Sequence, residues 1–461
     1  MMLWLNVLQA ALLNVVSLLK VLVRMVDMDS SDSEVSSSQL SGCNPNSSPL
    51  SELYLSPTRQ NSSEENFRPV YFPEDKFIAV IGGLGYIGSH TCLELLRAGY
   101  NVLIIDNLSN SFDTTQDQIL YLARQYHNAR GQKVPQLKFY EADYRDEIKI
   151  KKILSDYISP DLRTPDMVPV PKSKILGVIH FAAYKSVVES IKYPLKYYDN
   201  NVAGLVKFCI ILNEFNIKTF IFSSSATVYG SKANSEVLLR EEHCVHQTES
   251  YYDQFGIFRT SEPGCTGLTN PYGRSKWMSE AILSDIATAD RNWAITALRY
   301  FNPIGCDGSG LLGEDPRGVP TNLMPVVMRV LSGQIPGINI FGVDYPNTHD
   351  GTAVRDYIHV TDLARGHISA LESAIERKGF RTYNLGSGIG YSVRDIIEAV
   401  EKVFCCKIPT QFAPRREGDV EMSVALPKRA EDELKWKTEK SLNDACKDLM
   451  SFISLRKIVN P

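Results

Sequence analysis

"KFIAVIGGLGYIGSHTCLELLRAGYNVLIIDNLSN", residues 76 to 110, decides the fold. Phe77 to Ile81 is a short apolar run bounded by glycine, which suits a buried parallel strand. Gly82, Gly83, Gly85 and Gly88 follow, so that residues 83–88 fit GxGxxG and residues 82–88 fit GxxGxxG. Leu93, Leu95 and Leu96 carry helical spacing as far as Gly99, and "NVLIID" closes a second strand at Asp106. Glycine lets such a turn tighten and lets the backbone approach a pyrophosphate, while the helix start offers free N–H groups and a positive dipole end. A carboxylate about 20 residues further on accepts the ribose hydroxyls and repels a 2′-phosphate. A lone GxGxxG says little. Here it leaves a strand, opens a helix and is completed by Asp106, which predicts a dinucleotide site that prefers NAD to NADP. The competing reading is that the glycines serve only close strand–helix packing.

The alternation of strand and helix continues. "LKFYEADY" ends at Asp143, a candidate partner for the adenine edge, and "ILGVIHFAA" (175–183), "KTFIFSSSATVYG" and "WAITALRYFNP" read as the fourth, fifth and sixth strands. This is the pattern of an α/β protein built on a doubly wound parallel (Rossmann) sheet, with ligands at the carboxyl ends of the strands. Those ends carry Asp143, His180–Ala183, Ser223–Tyr229 and Tyr300–Asn302. The expected organisation is an NAD-binding domain over residues 75–302 and a smaller substrate-binding domain over 303–461, with a segment near 352–366 returning to the first.

Composition narrows the function. Of 461 residues, 44% are hydrophobic and 22% charged, with a formal net charge of -4, so no basic excess invites nucleic acid. The nine cysteines are scattered, without a CxxC pair, and read as reduced thiols in a cytosolic protein with no metal site. Residues 1–27 are apolar, with no charge before Lys20, and their polar residues fall largely on one helical stripe. A signal peptide has positive charge before its apolar run, and a spanning helix needs ~20 uninterrupted apolar residues. The expectation is an amphipathic helix that contacts a membrane surface or another protein, with a short signal anchor or an extension without a partner as the alternatives; if it anchored, Lys20 and Arg24 on its C-terminal flank would keep the globular part cytosolic. Residues 28–66 are Ser-rich, with few large apolar side chains, and read as a disordered linker.

"NPYGRSKW" (270–277) places Tyr272 four positions before Lys276. On a helix these side chains share one face. A neighbouring cation favours a phenolate, which would make Tyr272 an acid/base near neutral pH. Taken alone the spacing is common, and its plain reading is a surface tyrosine beside a solvated lysine. It gains weight from Ser223, Ser224 and Ser225 at the end of the preceding strand, since a serine there can hydrogen-bond a substrate hydroxyl. Serine, tyrosine and lysine beside a nicotinamide predict hydride exchange with a carbon that bears a hydroxyl.

"GGLGYIGSHTCLELL", "IDNLSNS", "HFAAYKSVVES…PLKYYDNNV", "FIFSSSATVYG", "NPYGRSK", "LRYFNPIG", "GEDPRGVPTNLMP", "DGTAVRDYIHV" and "FAPRREGDV" together resemble the UDP-glucose 4-epimerase family of extended short-chain dehydrogenase/reductases, from about residue 77 onward. The resemblance implies a retained NAD that takes hydride from C4 of a UDP-hexose and returns it to the other face, without net redox. It implies Ser225 and Tyr272 as the catalytic pair, with Lys276 beside them. NAD contacts are implied at Gly82, Gly85, Tyr86, Ile87, Gly88, Asp106, Asn107, Asn110, Ser111, Asp143, Tyr144, Phe181, Ala182, Lys185, Asn200, Ser225, Tyr272, Lys276 and Phe301. UDP-sugar contacts are implied at Asn302, Asn322, Leu323, Phe341, Arg355, Arg416 and Asp419. Arg355 and Arg416 suit a diphosphate, which the guanidinium fork can grip. A homodimer is implied by the resemblance alone.

Three departures matter. Relatives that eliminate water carry an acidic pair just after the strand-five serine, and here those slots hold Ala226 and Thr227, which cannot act as acid or base. Two insertions, "PDLRTPDMVPVPK" and "REEHCVHQTESYYDQFGIFRTSEPGCTGLT", lengthen the chain. The second leads into the catalytic helix, where it could overhang the mouth of the site or join a subunit contact, but it reads rather as surface decoration, its His243 and His246 too isolated for a metal. The family's gatekeeping slot, facing the C2 substituent of the sugar, falls at Ser423, where a small side chain leaves room for an acetamido group. UDP-N-acetylglucosamine and UDP-N-acetylgalactosamine are therefore expected as further substrates. Competing readings are an NAD-dependent UDP-sugar dehydrogenase or decarboxylase-like relative, and a non-catalytic NAD-binding scaffold.

Overall fold

The computed structural model describes residues 75–159, 172–234, 238–253, 255–318, 320 and 322–459. The apolar segment 1–27, the Ser-rich stretch 28–66 and residues 160–171 of the first insertion lie outside them. Among the described residues no helix is long and apolar enough to cross a membrane.

Seven parallel strands form the main sheet: β1 (Phe77–Ile81), β2 (Asn101–Asp106), β3 (Leu137–Glu141), β4 (Ile175–His180), β5 (Thr219–Ser225), β6 (Ala294–Tyr300) and β7 (Gly379–Leu385). Their spatial order is β7-β6-β5-β4-β1-β2-β3, and every neighbouring pair is parallel. The sequence alternates along β1 as a doubly covered strand must. Ile78 and Val80 pack on one face with α1 (Tyr86–Arg97), α2 (Thr115–Asn128) and α6 (Val360–Glu376). Phe77, Ala79 and Ile81 pack on the other with α3 (Glu147–Ser155), α4 (Gly204–Glu214) and α5 (Pro271–Ala289). Burying each such aliphatic side chain contributes about 1.5–3 kcal/mol, so both faces hold the sheet between helices. The order reverses between β1 and β4, and the carboxyl ends of these strands bound the crevice where a doubly wound sheet binds ligands.

Six strands were expected, and the seventh is a finding. "GFRTYNL" breaks its apolar run with Arg381 and Asn384, so it does not read as buried. It is an edge strand whose first three positions reach the surface. Asn384 is buried because its side chain donates to the Leu239 carbonyl (2.8 Å) and accepts from the Tyr229 hydroxyl (2.5 Å). With α6 this strand carries the chain back onto the sheet well beyond residue 366.

β6 passes through Phe301 directly into strand Asn302–Ile304, which pairs in parallel with Val354–His359. Gly390–Ser392 and Met422–Ser423 pair with the other end of Val354–His359. Ile338–Phe341 pairs with Thr410–Ala413. Ile304, Met324, Val327, Ile340, Tyr357, Ile396, Val400 and Leu449 form a separate apolar core there. The second insertion forms an antiparallel hairpin, Glu249–Tyr252 with Phe258–Ser261.

Candidate active site

The turn after β1 is shaped by glycine where nothing larger fits. Gly82 has φ +75°, and a Cβ there would come within 2.9 Å of the Ala182 backbone nitrogen. A Cβ on Gly88, in the first turn of α1, would lie 2.3 Å from the Gly82 carbonyl oxygen. Gly85 caps α1 without a side-chain hydrogen bond, so the N–H groups of the first turn lack intrahelical acceptors. Asp106, at the end of β2, is buried and accepts from the Leu84 N–H (3.0 Å), the Leu108 N–H (2.9 Å) and the Ser111 hydroxyl (2.9 Å). It therefore also pins the glycine turn. Asn107 donates to Asp143 (3.1 Å), and Arg145 grips the same carboxylate through Nε and Nη2 (3.0 and 2.9 Å). Burial pushes the Asp143 carboxyl up, but the Arg145 hydrogen bonds outweigh it and hold the group below its usual range.

Tyr86 donates to the Gly305 carbonyl (2.7 Å), which ties α1 to the second region. Tyr144 donates to the Asn200 carbonyl, and Asn200 itself donates to Asn201 (2.9 Å). A cavity of about 380 Å³ opens over this end of the sheet, with Tyr86, Asn110, Ser111 and Lys185 in its lining. Lys185 pairs with Glu314 (3.3 Å), which also accepts from Asn322 (3.3 Å). The Phe181 and Ala182 N–H groups both donate to the Ile81 carbonyl, which places these two residues at the carboxyl ends of β1 and β4. A turn whose glycines admit no Cβ, an uncapped helix start and a carboxylate at the second strand end together fit a dinucleotide.

The three residues expected to be catalytic, Ser225, Tyr272 and Lys276, come together at the end of β5. Asn270 caps α5 by accepting from the Gly273 N–H (2.8 Å), and Pro271 occupies the first helical position, so "NPYG" is a helix start by its own chemistry. That start puts Tyr272 in the first turn and Lys276 one turn on. Both are buried. Burial pushes the Tyr272 phenol up, with a hydrogen bond from Ser225 pulling the other way. Lys276 donates to the Ser223 carbonyl (2.5 Å), and its Nζ stands 6.0 Å from the Tyr272 ring centre. Burial pushes the ammonium down to about 7, opposed by Glu280. Here the structure departs from the simple phenolate–ammonium pair expected from the i,i+4 spacing. Desolvation acts on both groups, and the charge that acts on Lys276 is the Glu280 carboxylate rather than a phenolate. His180, buried at the end of β4, is pushed down to about 3 by burial and then by Lys276, so it stays neutral. The Thr227 hydroxyl is buried without a hydrogen-bond partner among the described residues, two positions beyond Ser225.

The predicted substrate residues form a second group. Arg416 pairs with Asp419 (2.9 Å) and lies 4.9 Å from the Phe341 ring centre. Arg355 donates to the Val354, Val420 and Glu421 carbonyls and stands 3.8 Å from Asp419. Ser423 is the direct register partner of Arg355. Asn302 donates to the Asp356 carbonyl (3.1 Å), and Leu323 opens the helix capped by Asn322. The Thr269 hydroxyl, just before α5, donates to the Gly418 carbonyl (3.4 Å), so the Arg416–Asp419 loop meets the catalytic helix. Sequence reading missed Glu314, the shared partner of Lys185 and Asn322; it placed Tyr300 at a strand end but gave it no partner, and its hydroxyl bonds that of Ser223. It also missed Glu280, although its i,i+4 spacing from Lys276 was visible.

Fold and site together define a nicotinamide-dependent enzyme of the extended short-chain dehydrogenase/reductase type. The chain belongs to the NAD dependent epimerase/dehydratase family, whose model matches residues 78–386. Within that family it is similar to UDP-glucose 4-epimerases. It is 42% identical to that of Bacillus subtilis over 371 residues, covering 80% of this chain and 95% of the relative. It is 42% identical to that of Mus musculus over 372 residues, 81% and 95% of the two chains. The crystal structure of the Bifidobacterium longum enzyme, in complex with NAD+ and UDP, superposes with a TM-score of 0.69 at 38% identity, covering 83% of this chain and 99% of the other.

Proposed function

We propose that this protein interconverts UDP-glucose and UDP-galactose by transient oxidation at C4 with a retained NAD. The observation that carries the reading is the convergence of Ser225, Tyr272 and Lys276 at the carboxyl end of β5, on the same sheet edge as the glycine turn. NAD is held by the Gly82–Gly88 turn, Asp106 and Asn107 at the adenosine ribose, Asp143 and Tyr144 toward the adenine, and Asn110, Ser111 and Lys185 toward the phosphates. Ile87, Phe181, Ala182, Asn200, Phe301 and Lys276 would line the rest of its path. When bound, NAD would supply the reversible hydride acceptor for C4. Tyr272 removes the proton of the 4-hydroxyl and later returns it. Ser225, already bonded to Tyr272, orients that hydroxyl. Arg355 and Arg416 bind the diphosphate, Asp419 the uridine ribose, and Asn302, Asn322, Leu323 and Phe341 the remainder of the nucleotide sugar. The absence of an acidic side chain at Ala226 and Thr227 supports epimerisation over dehydration. Purified protein, with no NAD added, is expected to convert each UDP-hexose of a panel into its C4 epimer. Accumulating reduced cofactor would point instead to a dehydrogenase, and no turnover at all to a scaffold.

Ser423 gives the reading its specificity. A hydroxymethyl group beside Arg355 leaves space at the C2 substituent of the sugar, so N-acetylated UDP-hexoses are substrates too. Ser423→Tyr should lower kcat/KM for UDP-N-acetylglucosamine by about 10–100-fold, the size of a steric discrimination in a pocket, and spare UDP-glucose. Equal loss with both sugars removes the steric account. A second copy of the chain is the expected partner, supported by exposed Val206 and Ile210 on α4 and Met278 on α5. Sedimentation should report a dimer. The cytoplasm, with residues 1–27 touching a membrane surface or a protein, is the location that fits the reduced thiols.

A further inference from the structure

Four positions past Lys276, on the same face of α5, Glu280 is fully buried. Its carboxylate is held from three sides. Arg299 of β6 binds it through Nη2 (2.6 Å) and Nε (3.1 Å), the Ser224 hydroxyl of β5 donates to it, and His246 Nε2 lies 2.8 Å from Oε2. A carboxylate can only accept, so the His246 tautomer carries its proton on Nε2. Arg299 is also fully buried, and its other donors go to the Tyr229 hydroxyl (3.2 Å), the Glu241 carbonyl (3.2 Å) and the Cys244 carbonyl (2.7 Å). Three of these partners, His246, Glu241 and Cys244, belong to the second insertion. Its first part is therefore not surface decoration: it closes around a charge pair one helical turn from the catalytic lysine. The His246 ring is itself fixed against Trp277 and Phe380, each with ring centres 5.7 Å away.

We propose that Glu280, held in place by Arg299 and by His246 of the insertion, is the positioning residue for Lys276: a fixed buried counter-charge that keeps the ammonium protonated beside Tyr272. The inference rests on the epimerase reading given above. The groups that face Lys276 are few. Tyr272 lies on its own helix, His180 on β4 is neutral, and Ser223 on β5 offers only a carbonyl, so Glu280 is the one opposite charge acting on it among the described residues. Arg299 and His246 pull the Glu280 carboxyl far down against its own burial, so it stays ionised throughout the working pH range. Without it, an ammonium already at the edge of deprotonation would lose its proton, and with it the charge that stands beside Tyr272.

The test uses the full-length holoenzyme. Lysine labelled with 13C at Cε reports the Lys276 titration by NMR, its signal assigned with Lys276→Met, and kcat against pH is measured in parallel. In Glu280→Gln the Lys276 midpoint should fall by about one to two pH units, the size of shift that a nearby opposite charge produces, and the alkaline limb of kcat should move down with it. His246→Phe keeps the ring packing and removes one donor, so it should shift both in the same direction by less. Glu280→Gln leaves Arg299 unpaired and can fail to fold, in which case His246→Phe decides. Unmoved midpoints in a folded, active variant overturn the proposal. A wild type that turns over no UDP-hexose overturns the epimerase reading instead, and the inference falls with it.

Discussion

Tyr272→Phe should lower kcat with UDP-glucose about a thousandfold and leave NAD content per chain unchanged. Proton transfer by a positioned side chain contributes 10²–10⁴-fold, and ~10³ corresponds to about 4 kcal/mol at the transition state. The substitution removes one oxygen and keeps the ring, whose edge-to-face contact with Tyr197 (6.4 Å between centres) holds it in place. The fold should therefore survive, at a cost of about 1–3 kcal/mol for leaving the Ser225 hydroxyl without its partner. The pH dependence separates this loss from simple damage. A phenol pushed up by burial is a base only in its deprotonated form, so wild-type kcat rises with pH on its acid limb as Tyr272 ionises, and the residual activity of the variant should lack that limb. A variant within tenfold of wild type, or one that keeps the rising limb, removes Tyr272 as the base.

How much of this was legible depends on which chemistry is local. Tyr272 and Lys276 lie one helical turn apart, so phenol and ammonium could be placed from eight letters. The glycine turn was legible for the same reason: strand, turn and helix are contiguous, and Asp106 closes the unit 18 residues after Gly88. What was not legible is what closes through space. β7 joins the sheet 79 residues after β6 ends, since Gly379 follows Tyr300 by that count, and its polar Asn384 is satisfied by Leu239 and Tyr229 from far upstream. His246 looked isolated because its partner lies 34 residues away. The acidity of the site was misjudged for a related reason. Spacing shows which side chains are neighbours, but desolvation depends on how completely the rest of the chain covers them, and at Tyr272 and Lys276 it is the first cause of both shifts.

Gly88→Ala should abolish NAD retention, and with it activity, through one methyl group. Gly88 has helical geometry inside α1, so the substitution is not opposed by its backbone angles, and alanine is the better helix former. The obstacle is steric. The new Cβ would lie 2.3 Å from the Gly82 carbonyl oxygen and 2.9 Å from the Gly83 Cα, both backbone atoms that no rotamer change can move aside. Relief requires α1 to slide away from the turn, or the turn to unwind from its +75° φ at Gly82. Either motion displaces the helix N-terminus from the place where the phosphates would meet it. Overpacking of this kind costs about 1–3 kcal/mol, which for a domain of this size lowers Tm by only about 5 °C. The expected signature is therefore lopsided: a folded protein, melting a few degrees early, that purifies without nicotinamide and regains little when NAD is added. Absorbance and enzymatic assay of released NAD measure it, alongside a melting curve. Full NAD content in Gly88→Ala would mean that the turn is not the phosphate cradle, and that the glycines serve only to pack α1 against β1.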